Sequence, residues 1–116
     1  MKKVVLFAFQ GEFMCFIHVL LNALDMNEKG YDVKIVIEGA ATGIVPEMSQ
    51  EGSMLYKQYT KAKELGLFAG ACKACSAKMG TLDAVKEEGL ALLDDMHGHP
   101  SMAAYIDDGY DVISFG

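Results

Sequence analysis

Residues 3–29, "KVVLFAFQGEFMCFIHVLLNALDMNEK", change period partway along, and that change sets the fold class. Lys3–Phe9 is β-branched and nearly all apolar, the pattern of a strand buried on both faces. From Glu12 to Lys29 the spacing is helical. Phe13, Phe16, Ile17, Leu20, Ala23 and Leu24 make one apolar stripe, and His18, Asn22, Asp25 and Lys29 make the wet stripe opposite. Gly30 supplies the residue that closes such a helix.

The same alternation continues along the chain. "YDVKIVIE" (31–38) predicts a second strand and "GAATGIVPE" (39–47) a loop. A helix is expected over 53–66, with Leu55, Tyr59 and Ala62 facing inward and Gly66 at its end. "LFAGA" (67–71) reads as a short third strand leading into "CKACSAKMG" (72–80), which holds a turn or two of helix. Thr81 is placed to cap a helix through Glu88. "LALLDD" (90–95) reads as a weak strand, with a helix nearly as good. "MHGHP" (96–100) is a loop, Ser101 caps a last short helix, and "YDVISF" (110–115) is a final strand.

Strand and helix in alternation imply one α/β domain over residues 1–116. Its sheet is expected to be mostly parallel and five-stranded, with helices on both faces in flavodoxin- or Rossmann-like layering. In such folds chemistry collects beyond the carboxyl ends of the strands. That rim should hold Gln10–Glu12, the 39–47 loop, Cys72–Ser76 and His97–Ser101. Glu12 and Thr42 belong to it first as turn or helix-start residues.

Bulk properties narrow the function. The chain has 116 residues, 52% of them hydrophobic and 22% charged, enough for one core without staples. A net charge of −6 and no basic run argue against nucleic acid or an anionic membrane as partners. The apolar core near the N-terminus, Val4–Phe9, is shorter than a signal-peptide core, and no cleavage site follows it. "FMCFIHVLLNAL" is too short to span a bilayer. A cytoplasmic protein with reduced thiols is the expectation.

Three cysteines are too few for a disulfide scaffold and odd in number. Cys15, between Met14 and Phe16, reads as a small buried hydrophobe. Cys72 is different, because it follows a strand and opens a helix, where unpaired amides and the positive helix end converge. Lys73 and Ser76 flank the pair as supporting groups, and Lys78 lies nearby. An ordinary thiol, of pKa about 8.5, is roughly 3% ionised at neutral pH. A helix end and a lysine together raise the expected thiolate fraction to roughly a quarter.

Cys72 and Cys75, with His97 and His99, could supply four zinc ligands. However, H-x-H is tighter than the usual spacing and no second CxxC exists, so no resident metal is expected. A thioredoxin-like site is disfavoured by the mid-chain position of the motif and the absence of tryptophan, although dithiol redox chemistry on another fold stays open. "GAATG" matches neither nucleotide-binding glycine signature, and no cofactor is expected.

The element order and the segment "ACKACSAKMG" together resemble the DsrE/DsrF-like sulfur-relay proteins. That group includes the sulfur carriers of bacterial tRNA thiolation and of dissimilatory sulfur oxidation. Cys72 and Gly80 match that family's spacing of a cysteine, a short helix and a glycine. Cys75 matches the second cysteine that some members carry, and "IDDGYDVISFG" is similar to the family's closing helix–Gly–strand. The resemblance implies that Cys72 takes up sulfane sulfur as a persulfide and passes it to a partner thiol. Donor and acceptor proteins are implied as partners, in homotrimers or homohexamers. Such a relay is stoichiometric and need not be an enzyme. Cys75 could resolve the persulfide, releasing sulfide, or could be structural. The alternatives are a dithiol redox or metal- or small-molecule-binding module using Cys72 and Cys75 with His97 and His99, and a structural oligomer with inert cysteines.

Overall fold

In the computed structural model, which describes all 116 residues, the opening apolar run becomes β1 (Lys3–Ala8) and the helical stretch becomes α1 (Phe13–Glu28). The second strand is β2 (Asp32–Ile37). The 39–47 segment, expected as a loop, instead winds into a 3₁₀ helix (Gly39–Ile44) that runs into α2 (Val45–Met48). The reason is burial: Ala41, Thr42, Ile44, Val45 and Met48 are all buried, and a helical path satisfies their backbone where an open loop would not. There follow α3 (Tyr56–Glu64), β3 (Phe68–Cys72), α4 (Lys73–Lys78), α5 (Leu82–Glu87), β4 (Leu92–Leu93), α6 (Met102–Asp107) and β5 (Asp111–Phe115).

All five strands are parallel, in the order β4-β3-β2-β1-β5. The chain therefore steps outward from β1 through β2 and β3 to β4, then crosses back past the start to place β5 on the other side of β1. Right-handed crossovers in opposite directions put their helices on opposite faces. The packing agrees. Val4, Leu6 and Ala8 of β1 join Val33, Ile35 and Ile37 of β2 in a large core with Phe16, Val19, Leu20 and Ala23 of α1, Leu55, and Tyr59 and Ala62 of α3. Val5, Phe7, Val36 and Tyr110 face the other way, against Met102 and Tyr105 of α6. Leu20 and Ala23 are completely buried, as are Leu55 and Ala62, so the inward stripes read from the spacing are borne out.

Two helix starts differ in how they are capped. The Ser101 hydroxyl accepts the Ala104 amide at 3.2 Å, the expected cap of α6. Thr81 does not cap α5; its buried hydroxyl donates to the Thr42 carbonyl at 2.8 Å. A long-range carbonyl left unpaired in the core outcompetes a local cap. No helix is long and apolar enough to cross a membrane.

Candidate functional site

β3 delivers Cys72 to the carboxyl edge of the sheet, where it becomes the residue that opens α4. Its backbone is extended (φ −58, ψ 122), and its Sγ accepts the Cys75 amide at 3.3 Å, doing with sulfur what a serine cap does with oxygen. The first turn of α4 brings Cys75 over the same spot. Ser76 does not reach the sulfurs. It is buried and its hydroxyl donates to the Cys72 carbonyl at 2.7 Å, fixing the strand–helix corner.

The third component comes from the loop after β4. Met96 and His99 exchange both backbone hydrogen bonds, at 2.7 and 3.0 Å, around His97 (φ 52) and Gly98 (φ 88). Positive φ at both central residues marks a type I′ turn, for which glycine is well suited. The Gly98 carbonyl accepts the Ala74 amide at 2.9 Å, so the turn is pinned onto the otherwise unpaired start of α4. This aims the His99 ring at the cysteines: Nδ1 lies 3.1 Å from Cys72 Sγ and 3.7 Å from Cys75 Sγ.

Glu38, the residue after β2, completes the cluster. It is 8% exposed, with Oε1 3.9 Å from Cys75 Sγ and 4.0 Å from His99 Nδ1. One donor atom from each of Glu38, Cys72, Cys75 and His99 lies within 4.8 Å of every other. Sequence reasoning missed Glu38. The available signal was its place: an acid ending the apolar run "VKIVIE", just beyond the strand that neighbours the one ending in Cys72.

Other expected participants fall outside the cluster. His97 is exposed and belongs to the turn that aims His99. Lys73 pairs with Asp94 at 3.6 Å with both side chains about half exposed, too wet to act strongly on the sulfurs. Glu12 is an exposed residue at the start of α1. Thr42 is buried and donates to the Gly39 carbonyl at 2.8 Å, a structural role. Cys15, expected inside, is exposed on α1.

The charge state of Cys72 also differs from expectation. The helix start was expected to favour the thiolate, yet burial pushes the thiol up to about 12, reinforced by its hydrogen bond to Cys75. The Cys75 amide works the other way and is outweighed. Cys72 has no exposed surface. The resting group is a shielded thiol beside an imidazole.

The fold and site together define a class: an all-parallel α/β domain with a thiol pair, a histidine and a buried carboxylate at the carboxyl edge of its sheet. The chain is 33% identical over 96 residues to the uncharacterized protein MJ0733 of Methanocaldococcus jannaschii, covering 83% of this chain and 76% of that protein. It belongs to the same family as that archaeal protein. An uncharacterized protein of Archaeoglobus fulgidus is 41% identical over 58 residues, 50% of this chain and 93% of its own length. No family model and no solved structure matches the chain.

Proposed function

We propose that the protein is a sulfur-relay protein that holds sulfane sulfur as a persulfide on Cys72. The observation that carries this reading is the 3.1 Å contact between Cys72 Sγ and His99 Nδ1. A buried thiol is a weak nucleophile until it loses its proton, and an imidazole in hydrogen-bond contact is the group that can take it. Glu38 Oε1 lies 4.0 Å from the same nitrogen, on a side chain mostly shielded from solvent. In the transfer, the Cys72 proton moves to His99 as sulfur attacks the terminal sulfur of a donor persulfide. The S–S bond of the donor breaks, and the departing thiolate takes the proton from His99. The products are Cys72–S–SH and the donor thiol, with no net change of oxidation state. The resemblance of "ACKACSAKMG" to sulfur-relay proteins supports the same assignment. Burial also suits the cargo, because a shielded persulfide is protected from stray thiols.

Cys75 is half-buried and its sulfur lies within 4.8 Å of Cys72, a proximity that supports attack on the inner sulfur of that persulfide. This would form a Cys72–Cys75 disulfide and release hydrogen sulfide. The test is intact mass after the reduced protein meets a small persulfide donor. Wild type gains one sulfur, Cys72→Ser gains none at this site, and Cys75→Ser keeps its sulfur longer than wild type. Equal sulfur uptake by wild type and Cys72→Ser would end the proposal.

A further inference from the structure

We infer that Glu38, Cys72, Cys75 and His99 form a binding site for a thiophilic divalent metal ion. The four donor atoms come from three separate parts of the fold: the end of β2, the β3–α4 corner and the turn after β4. In a tetrahedral site with metal–sulfur bonds of about 2.3 Å and metal–nitrogen or metal–oxygen bonds of about 2.0–2.2 Å, neighbouring donors sit roughly 3.3–3.8 Å apart. The separations here are 3.1 Å for Cys72–His99, 3.7 Å for Cys75–His99, 3.9 Å for Cys75–Glu38 and 4.0 Å for His99–Glu38. The remaining two pairs, Cys72–Cys75 and Cys72–Glu38, lie within 4.8 Å, so side-chain adjustments of about 1 Å or less would close the set.

A second observation points the same way. The Glu38 side chain is only 10% exposed, and no lysine approaches within 4.0 Å of it. Its polar contacts are the long Cys75 and His99 ones, weak compensation for a carboxylate that is mostly buried. A dication at the centre of the cluster would supply that compensation. Two sulfurs, one imidazole nitrogen and one carboxylate oxygen are the mixed soft and borderline donors that suit Zn²⁺. The set is not the one the CxxC and H-x-H spacing suggested, since the fourth ligand is Glu38 and not the solvent-facing His97.

Binding would displace a proton from each thiol to solvent, and both sulfurs would then be occupied as ligands. The site stands independently of the sulfur-relay reading. A metal-loaded protein would be closed to sulfur transfer until the ion left.

Co²⁺ serves as the probe, added to the reduced full-length protein that has met no sulfur donor. One equivalent is expected to produce a thiolate-to-cobalt charge-transfer band and the visible bands of a tetrahedral ion, both erased by Zn²⁺. Glu38→Gln and His99→Ala should each weaken Co²⁺ binding at least about 10-fold, while His97→Ala binds as wild type does. Failure of wild type to develop the thiolate band would overturn the inference. So would wild-type affinity in either Glu38→Gln or His99→Ala, which would remove that residue from the ligand set.

Discussion

Cys72 combines burial with a base in contact, and the first property conceals the second from reagents. At neutral pH its thiol is protonated and covered, whereas Cys15 is exposed and Cys75 half-buried. Alkylation followed by peptide mass mapping should therefore label Cys15 first, Cys75 next and Cys72 last. Cys72 is expected to lag Cys15 by at least about 10-fold. The Cys72 rate should climb as pH rises toward about 12, where the thiol ionises. Labelling of Cys72 as fast as Cys15 at neutral pH would show that the thiol is neither shielded nor protonated. At this scale the sequence put Cys72 and Cys75 at the carboxyl edge of the sheet, where they lie, but reversed the environment of Cys15 and Cys72. Helix-end amides and lysines are visible in a string of letters. The lid of Gly98 and His99 that buries Cys72 is made by residues more than twenty positions away.

The element that decides the shape of the site is the β3–β4 edge. Gly70 sits in β3 at φ 152, beside the point where the β2–β3 register shifts between Ile35 and Val36. A Cβ there would run into the Ala91 carbonyl oxygen and come within 2.9 Å of Leu93 Cγ. Gly70→Ala should consequently cost about 2 kcal/mol or more, from the strained backbone and the clash together. An unfolding free energy from urea titration unchanged to within about 0.5 kcal/mol would contradict this reading of the edge. The element order, the inward faces of α1 and α3, and the Ser101 cap were legible, because period and capping are local signals. The 3₁₀ helix over Gly39–Ile44 and the diversion of Thr81 to the Thr42 carbonyl were not. Both arise from burial against elements distant in the chain.

Across the whole molecule, long-range polar ties complement the two apolar layers. Tyr59 of α3 donates to Glu88 Oε1 at 2.5 Å, and Lys63 reaches the same oxygen at 3.0 Å, tying α3 to the end of α5. Burial alone would raise the Glu88 carboxyl, but the Tyr59 hydroxyl and the Lys63 charge overcome it and hold it below the ordinary carboxylate value. The folded state therefore favours the ionised form. The stability this gives is complete above the unfolded carboxylate pKa and is lost as pH falls through the depressed folded value. Glu88→Gln should lower the melting temperature at neutral pH, and the gap from wild type should narrow as pH falls below the ordinary carboxylate range. A constant gap across that range would contradict the linkage.

Sheet order was legible only as a class. Alternation specified parallel strands and helices on both faces, but the placement of β4 and β5 at opposite edges is a tertiary choice. That choice is also what brings the ends of β2 and β3 together with the turn after β4 to make the candidate site. The central claim is that this convergence turns a buried thiol into a working one through His99. The most direct measurement is the rate of sulfur uptake on Cys72, followed by intact mass at neutral pH, in wild type and His99→Gln. Loss of a positioned base should slow uptake by about 10²–10⁴-fold, with part of the rate recovered at alkaline pH. Uptake by His99→Gln at the wild-type rate would show that the imidazole has no part in the chemistry.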